Sequence, residues 1–179
     1  MTNAAPQPFA INRDEAKSYW QIGNLWSVLA SAQSTGNALT VVDQLMPKRS
    51  GPPLHIHERW HEFFYLLDGE IRFQVDDQLL TGSTGTLLSI PPGTPHSFAV
   101  VSETTRVLNI YTPGGFEVMV ESLGTPATAL TLPPEGTEAP PTDEQRSAFT
   151  RRAIELESQR GVDDVEDLLA QERAPLGPH

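Results

Sequence analysis

A chain of 179 residues with a formal net charge of −11 is long enough to bury a core in one domain. The acidic balance argues against nucleic acid and anionic membrane as partners, since both demand basic patches. Cysteine is absent, so disulfides and thiolate metal sites are excluded, and any metal must sit on His and carboxylate ligands.

Residues 1–18 are polar, carry two prolines and read as an N-terminal arm. The opening MTNAAPQPFAINRDEAK lacks a basic segment followed by an apolar one, so no signal peptide is expected. No apolar run approaches the roughly 20 residues that span a bilayer. A cytoplasmic protein is the expectation.

From residue 19 the texture changes to short apolar runs cut by turn residues: SVLAS, ALTVVDQLM, EFFYLL, EIRFQV, GTLLSI, HSFAVV and RVLNIY. Val, Ile, Phe and Thr recur in them, and Gly, Pro, Asp and Ser separate them. That pattern predicts an all-β sandwich or barrel. Asp68-Gly69, between FFYLL and EIRFQV, reads as a hairpin turn.

After Thr112, PGGFEVMVESLG reads as a short helix. Phe116, Met119, Val120 and Leu123 recur at helical spacing and Gly124 closes it. The barrel with this helix is expected over 19–125. Residues 126–141 are a proline-rich linker. Residues 142–179 form an acidic helical tail, opened by Thr142 and Gln145 at capping-box spacing. The stretch from 135 onward carries more than half of the net negative charge and reads as a solvated face. No internal repeat is present.

Three of the five histidines fall in HIHERWHE, residues 55–62. In a strand, residues i and i+2 share a face, so His55 and His57 can project together. Glu62 returns to that face if the intervening residues bulge or loop. His61, four residues after His57, is the alternative to Glu62. The second cluster is GTLLSIPPGTPHSF, residues 85–98, where a Pro-Pro-Gly turn lets His96 enter from another strand as a fourth group. Two or three imidazoles with one carboxylate suit a first-row divalent metal with open positions, whether Mn, Fe, Co, Ni, Cu or Zn.

These two stretches resemble the paired motifs of the cupin superfamily. The first is His-x-His, three or four residues, Glu, six residues, Gly, matched by His55, His57, Glu62 and Gly69. The second is Gly, five residues, Pro-x-Gly, two residues, His, three residues, Asn. It is matched by Gly85, Pro91, Gly93 and His96, with Val100 where the family has Asn. Three residues separate Gly51 from His55, where five usually separate the family's glycine from its first histidine. The motif match covers residues 51–100. GPPLHIH, PPGTPHSF and YTPGGFEVMVESLGTPA further resemble small bacterial single-domain cupins of the quercetin 2,3-dioxygenase type.

The resemblance implies a double-stranded β-helix, the cupin or jelly-roll barrel, with a C-terminal helical extension. It implies His55, His57, Glu62 and His96 as ligands of one divalent transition metal, with His61 left at the rim. It implies a flavonol-like or other enolisable small molecule as substrate, dioxygen as co-substrate, and Glu62 as the base for the substrate's hydroxyl proton. A homodimer paired through sheet edges is expected as well. The same ligands would also serve a non-redox isomerase acting through Lewis-acid chemistry, or a small-molecule-binding module. Trp20, Trp26, Phe64, Phe73, Phe98, Tyr111 and Phe116 are candidates for the cavity lining, with Phe116 as a lid.

Overall fold

The computed structural model describes residues 6–136. From Pro6 the described part of the arm runs without regular structure to a single 3-10 turn at Arg13–Glu15 and is tied down by Arg13 Nε, 3.2 Å from Asp43 Oδ1. Strands follow in order: β1 (Lys17–Gln21), β2 (Asn24–Ala30), β3 (Thr40–Pro47), β4 (His61–Asp68), β5 (Glu70–Val75), β6 (Gln78–Ser83), β7 (Leu87–Ile90), β8 (His96–Val100) and β9 (Thr104–Thr112). One helical turn, α1 (Ala32–Thr35), separates β2 from β3. Helix α2 (Glu117–Leu123) and the short β10 (Thr125–Pro126) follow β9.

The strands form two sheets, in the orders β10-β1-β2-β3-β9-β4-β7 and β6-β5-β8, with every pairing antiparallel. This is an all-β jelly roll with a small helix after its last long strand. The residues that fill it are set by strand alternation. In β9, Thr105, Val107, Asn109 and Tyr111 are buried and their neighbours are not. In β4 the inward set is Glu62, Phe64 and Leu66. Met46, Phe64, Leu66, Ile90 and Val107 from the larger sheet meet Ile71, Phe73, Phe98 and Val100 from the smaller one in a single core. Phe64, Phe73 and Phe98 sit with centroids 5.1–5.9 Å apart. Each such pair adds about 0.5–1.5 kcal/mol beyond the area it buries.

One turn expectation needs correction. Asp68-Gly69 is not a hairpin turn: β4 pairs with β9 and β7, whereas β5 pairs with β6 and β8. Gly69, at φ +91, turns the corner from one sheet to the other, and a Cβ there would meet Thr105. One two-residue hairpin lies at Ile22-Gly23, between β1 and β2, and another at Asp76-Asp77, which joins Val75 to Gln78 with Asp76 left-handed at φ +51. A short Asp side chain tolerates that conformation, which is why no glycine marks the turn. Gly124 does cap α2, but with extended backbone. Its lack of a Cβ is required by close approach, since a Cβ would lie 2.7 Å from that of Tyr19 on β1.

The described part of the proline-rich segment lies against β1. Ala127 N–H donates to Ser18 O at 2.9 Å, and Trp20 Nε1–H donates to Thr131 O at 2.8 Å. The expected tail over 142–179 lies outside the described residues. Among the described residues, no helix is long and apolar enough to cross a membrane.

Candidate metal centre

Residues 51–60 are not a strand of either sheet. They run extended, joined to β8 by one bridge in which His55 N–H donates to His96 O at 3.0 Å and His96 N–H to His55 O at 2.9 Å. The i, i+2 alternation still holds, with Ile56 buried in the core between the two imidazoles. Two glycines make this placement possible. A Cβ on Gly51 would lie 1.8 Å from Phe98 O, so only glycine lets the segment press against β8. Gly93, at φ +78, closes the Pro-Pro-Gly turn and donates its N–H to His57 O at 2.9 Å. The turn before His96 therefore also positions His57. Bends at Glu58 and Arg59 bring the chain into β4 with Glu62 inward.

One donor atom from each of His55, His57, Glu62 and His96 lies within 4.8 Å of the others. His55 and His57 Nε2 are 3.2 Å apart. Glu62 Oε2 lies 3.0 Å from His57 Nε2 and 3.1 Å from His96 Nε2. His57, Glu62 and His96 are buried, and His55 is half-buried. The outer nitrogens fix the tautomers. His55 Nδ1–H donates to Pro53 O at 3.0 Å, and His96 Nδ1–H donates to Thr94 O at 2.8 Å, because a carbonyl can only accept. In the neutral rings, both Nε2 lone pairs then face Glu62 and His57. Lone pairs and a carboxylate at such spacing require a cation among them, either a proton or a metal.

The electrostatics agree. Burial, followed by repulsion from His96 and His57, pushes His55 down to about 3, so this ring is neutral at pH 7. Burial pushes the Glu62 carboxyl up. Attraction to the neighbouring imidazoles, His57 first, and a hydrogen bond from His57 outweigh it and hold Glu62 well below the usual carboxylate range. A neutral imidazole and an ionised carboxylate are the forms that bind a metal.

His61 lies elsewhere. It is on the outer face of β4, stacked on Phe63 with centroids 4.2 Å apart, and its Nε2 is 2.7 Å from Ser89 Oγ. Strand alternation alone turns it away from Glu62.

His55, His57 and Glu62 line a cavity of about 470 Å³. Of the aromatic residues expected to line it, Trp26, Phe98, Tyr111 and Phe116 do so. Phe64 and Phe73 are instead core, and Trp20 is buried at β1. Phe116 is a packed wall, stacked on Tyr111 at 3.6 Å and 7°.

Sequence reasoning missed four groups around the site. Asn109 reaches towards Glu62 from β9, and Gln44 reaches towards Asn109 from β3. Both are amides at inward positions of otherwise apolar strands, and that mismatch is the signal that could have found them. Trp60 is 2% exposed beside His57 and Phe116, and its Nε1 has no partner among the described residues. Glu117 is 5% exposed and accepts from Ala32 N at 2.8 Å, from Gly115 N at 3.1 Å and from the Thr40 hydroxyl. It pins the start of α2, and with it Phe116, to the barrel.

Residues 41–111 match the family described as Cupin domain. A quercetin 2,3-dioxygenase of Bacillus subtilis (strain 168) is 28% identical over 131 residues, which cover 73% of this chain and 39% of that protein. A quercetin 2,3-dioxygenase of Aspergillus japonicus is 29% identical over 117 residues, covering 62% of this chain and 33% of that protein. The match thus spans well under half the length of either relative. The solved structure of KdgF from Halomonas sp. superposes with a TM-score of 0.54 at 18% identity, covering 62% of this chain and 99% of that one, a likeness of fold.

Proposed function

We propose that this chain, whose residues 41–111 match the family described as Cupin domain and which resembles quercetin 2,3-dioxygenases, is a metal-dependent dioxygenase acting on a flavonol-like or other enolisable small molecule. The observation that carries this reading is the convergence of three imidazole nitrogens and one carboxylate oxygen, with two rings held in a fixed tautomer, inside a mainly apolar cavity. His55, His57, Glu62 and His96 hold one divalent metal. The ion supplies positive charge that lowers the pKa of a substrate hydroxyl beside it.

This chain's own residues do the rest. Glu62 is ionised and accepts the hydroxyl proton. Its Oε2 is engaged by His57 and His96, so Oε1, 3.4 Å from Asn109 Nδ2, is the oxygen placed to take it. Trp26, Tyr111 and Phe116 wall the substrate against water, which strengthens each electrostatic contact inside. Dioxygen is the co-substrate. A homodimer is proposed too, on the exposed cross-strand pair Tyr65 and Leu87 beside the free edge of β7.

The test is metal content of the purified protein, then oxygen uptake with quercetin after each divalent metal is restored. Uptake that depends on bound metal supports the reading. Turnover under nitrogen assigns the cluster to Lewis-acid chemistry. Binding with no turnover under any metal leaves a binding module. Light scattering at the mass of a monomer counts against the dimer.

A further inference from the structure

Glu62, Asn109 and Gln44 lie on adjacent strands β4, β9 and β3, on the inner face of the larger sheet. The register places them diagonally: Glu62 is opposite Tyr111, Asn109 is opposite both Phe64 and Val42, and Gln44 is opposite Val107. Side chains two residues off register on one face are within reach of each other. Asn109 Nδ2 has two hydrogens to share among three acceptors, Glu62 Oε1 at 3.4 Å, Gln44 Oε1 at 3.3 Å and the Tyr111 hydroxyl at 3.1 Å, while Asn109 Oδ1 has no partner among the described residues.

The chemistry of these groups fixes their orientation. An ionised carboxylate only accepts, so the Asn109 atom facing Glu62 is the NH2 and not the oxygen. An NH2 only donates, so the Gln44 atom facing Asn109 is the carbonyl oxygen. The Gln44 NH2 is thereby turned away from Asn109, and its two donors have no acceptor among the described residues. Gln44 is 1% exposed yet lines the cavity, so its missing acceptor must come from what the cavity holds. Asn24, 6% exposed, lines the same wall and spends its Oδ1 on the Ser50 hydroxyl at 2.7 Å. The cationic residues of the lining, Lys48 and Arg49, belong to the Pro47–Pro53 stretch, and Lys48 is paired with Glu103 at 2.7 Å.

We propose that Gln44 is a specificity residue whose NH2, aimed through Asn109 by Glu62, donates to a neutral acceptor oxygen of the substrate. That oxygen is a carbonyl, ether or hydroxyl additional to those that meet the histidine cluster. The ligand class is an oxygen-rich small molecule with at least three oxygens, and a diol that can offer only two gains nothing from Gln44. The inference rests on the proposed function, because it takes the cavity as the substrate site.

The experiment uses the full chain loaded with Zn2+, which is redox-silent, so binding is read without turnover. Quercetin and catechol are titrated calorimetrically against the wild type, Gln44→Met and Gln44→Glu. Zn2+ stoichiometry and melting temperature are recorded for each protein, which separates misfolding from lost recognition. Removing one donor should weaken quercetin about threefold to tenfold, the worth of one neutral hydrogen bond, and leave catechol unchanged. Gln44→Glu, which keeps the size and replaces the donor by an acceptor, should lose at least as much. Equal weakening of both probes, or no weakening of quercetin, overturns the role of Gln44 and leaves the proposed function intact. A wild type that binds Zn2+ but neither probe overturns both.

Discussion

His61 and Glu62 are consecutive residues, yet they stand on opposite faces of β4: Glu62 is 3% exposed among the imidazoles, and His61 packs outside on Phe63. A one-residue difference in register decides which of them can be a ligand. Replacing His57 by Ala should abolish stoichiometric metal. Replacing His61 by Ala should leave metal content within error and change stability by less than about 0.5 kcal/mol, as for other surface positions. Metal analysis by mass spectrometry on both variants decides the point. Loss of metal in the His61 variant would overturn the assignment of Glu62.

The approach of Gly51 to β8 makes a separate prediction. A methyl group there would lie 1.8 Å from Phe98 O, and the obstacle is backbone, which cannot rotate aside. Gly51→Ala should therefore cost about 1–3 kcal/mol, the usual penalty of forced overpacking. Because the displaced segment carries His55 and His57, metal affinity should fall with stability. Urea unfolding and metal titration of the same preparation measure both effects. An unchanged midpoint would mean that the segment is not seated against Phe98.

Much of this was legible in the sequence because it rests on spacing. Short apolar runs and turn residues gave the strands, and His-x-His with a turn-led His gave three of the converging groups, while Glu62 is preferred over His61 only through the resemblance to the cupin motif. Sheet membership was not legible. Asp68-Gly69 looks the same whether the next strand folds back beside β4 or crosses to the other sheet, and only the distant pairings of β4 with β9 and β5 with β8 decide it. The hairpin at Asp76-Asp77 was hidden because it uses no glycine. Gln44, Asn109 and Glu117 were not legible because the partners they meet lie 47 to 85 residues away. Long-range pairing of that kind leaves no local trace beyond a polar residue at an inward position.

The cluster also sets how the metal-free protein responds to acid. His55 titrates near 3 when folded, against 6.5 ordinarily. Between those values the unfolded chain binds a proton at this site that the folded chain does not, so stability rises with pH across that window and is lost on acidification. Glu62, held below its ordinary 4.5, acts in the same direction but only as pH falls through and below that value. The melting temperature of chelated protein should therefore fall between pH 7.5 and pH 5. His55→Gln should flatten that slope, and Glu62→Gln should leave His55's contribution to it in place. Calorimetric scans across the range test this. A slope unaltered by His55→Gln would remove His55 as its source.

The role of Glu62 separates chemistry from coordination. If it is both ligand and base, Glu62→Gln keeps an oxygen that can face the metal but loses the basic carboxylate. Turnover should then fall by about two to four orders of magnitude, as is typical when a general base is removed. If Glu62 is a ligand alone, activity should follow metal occupancy and return when metal is supplied in excess. In a binding module the substitution can change only ligand affinity. Asn109 competes for the variant's one amide oxygen, since its NH2 lies 3.4 Å from Glu62 Oε1 in the wild type; an oxygen turned to Asn109 leaves the NH2 facing the imidazoles, so metal must be determined before the rate is read. The measurement is rate per bound metal, with metal determined on the same sample. A Glu62→Gln variant with an unchanged rate per metal would eliminate the base and leave the cluster as a Lewis acid or a binding site.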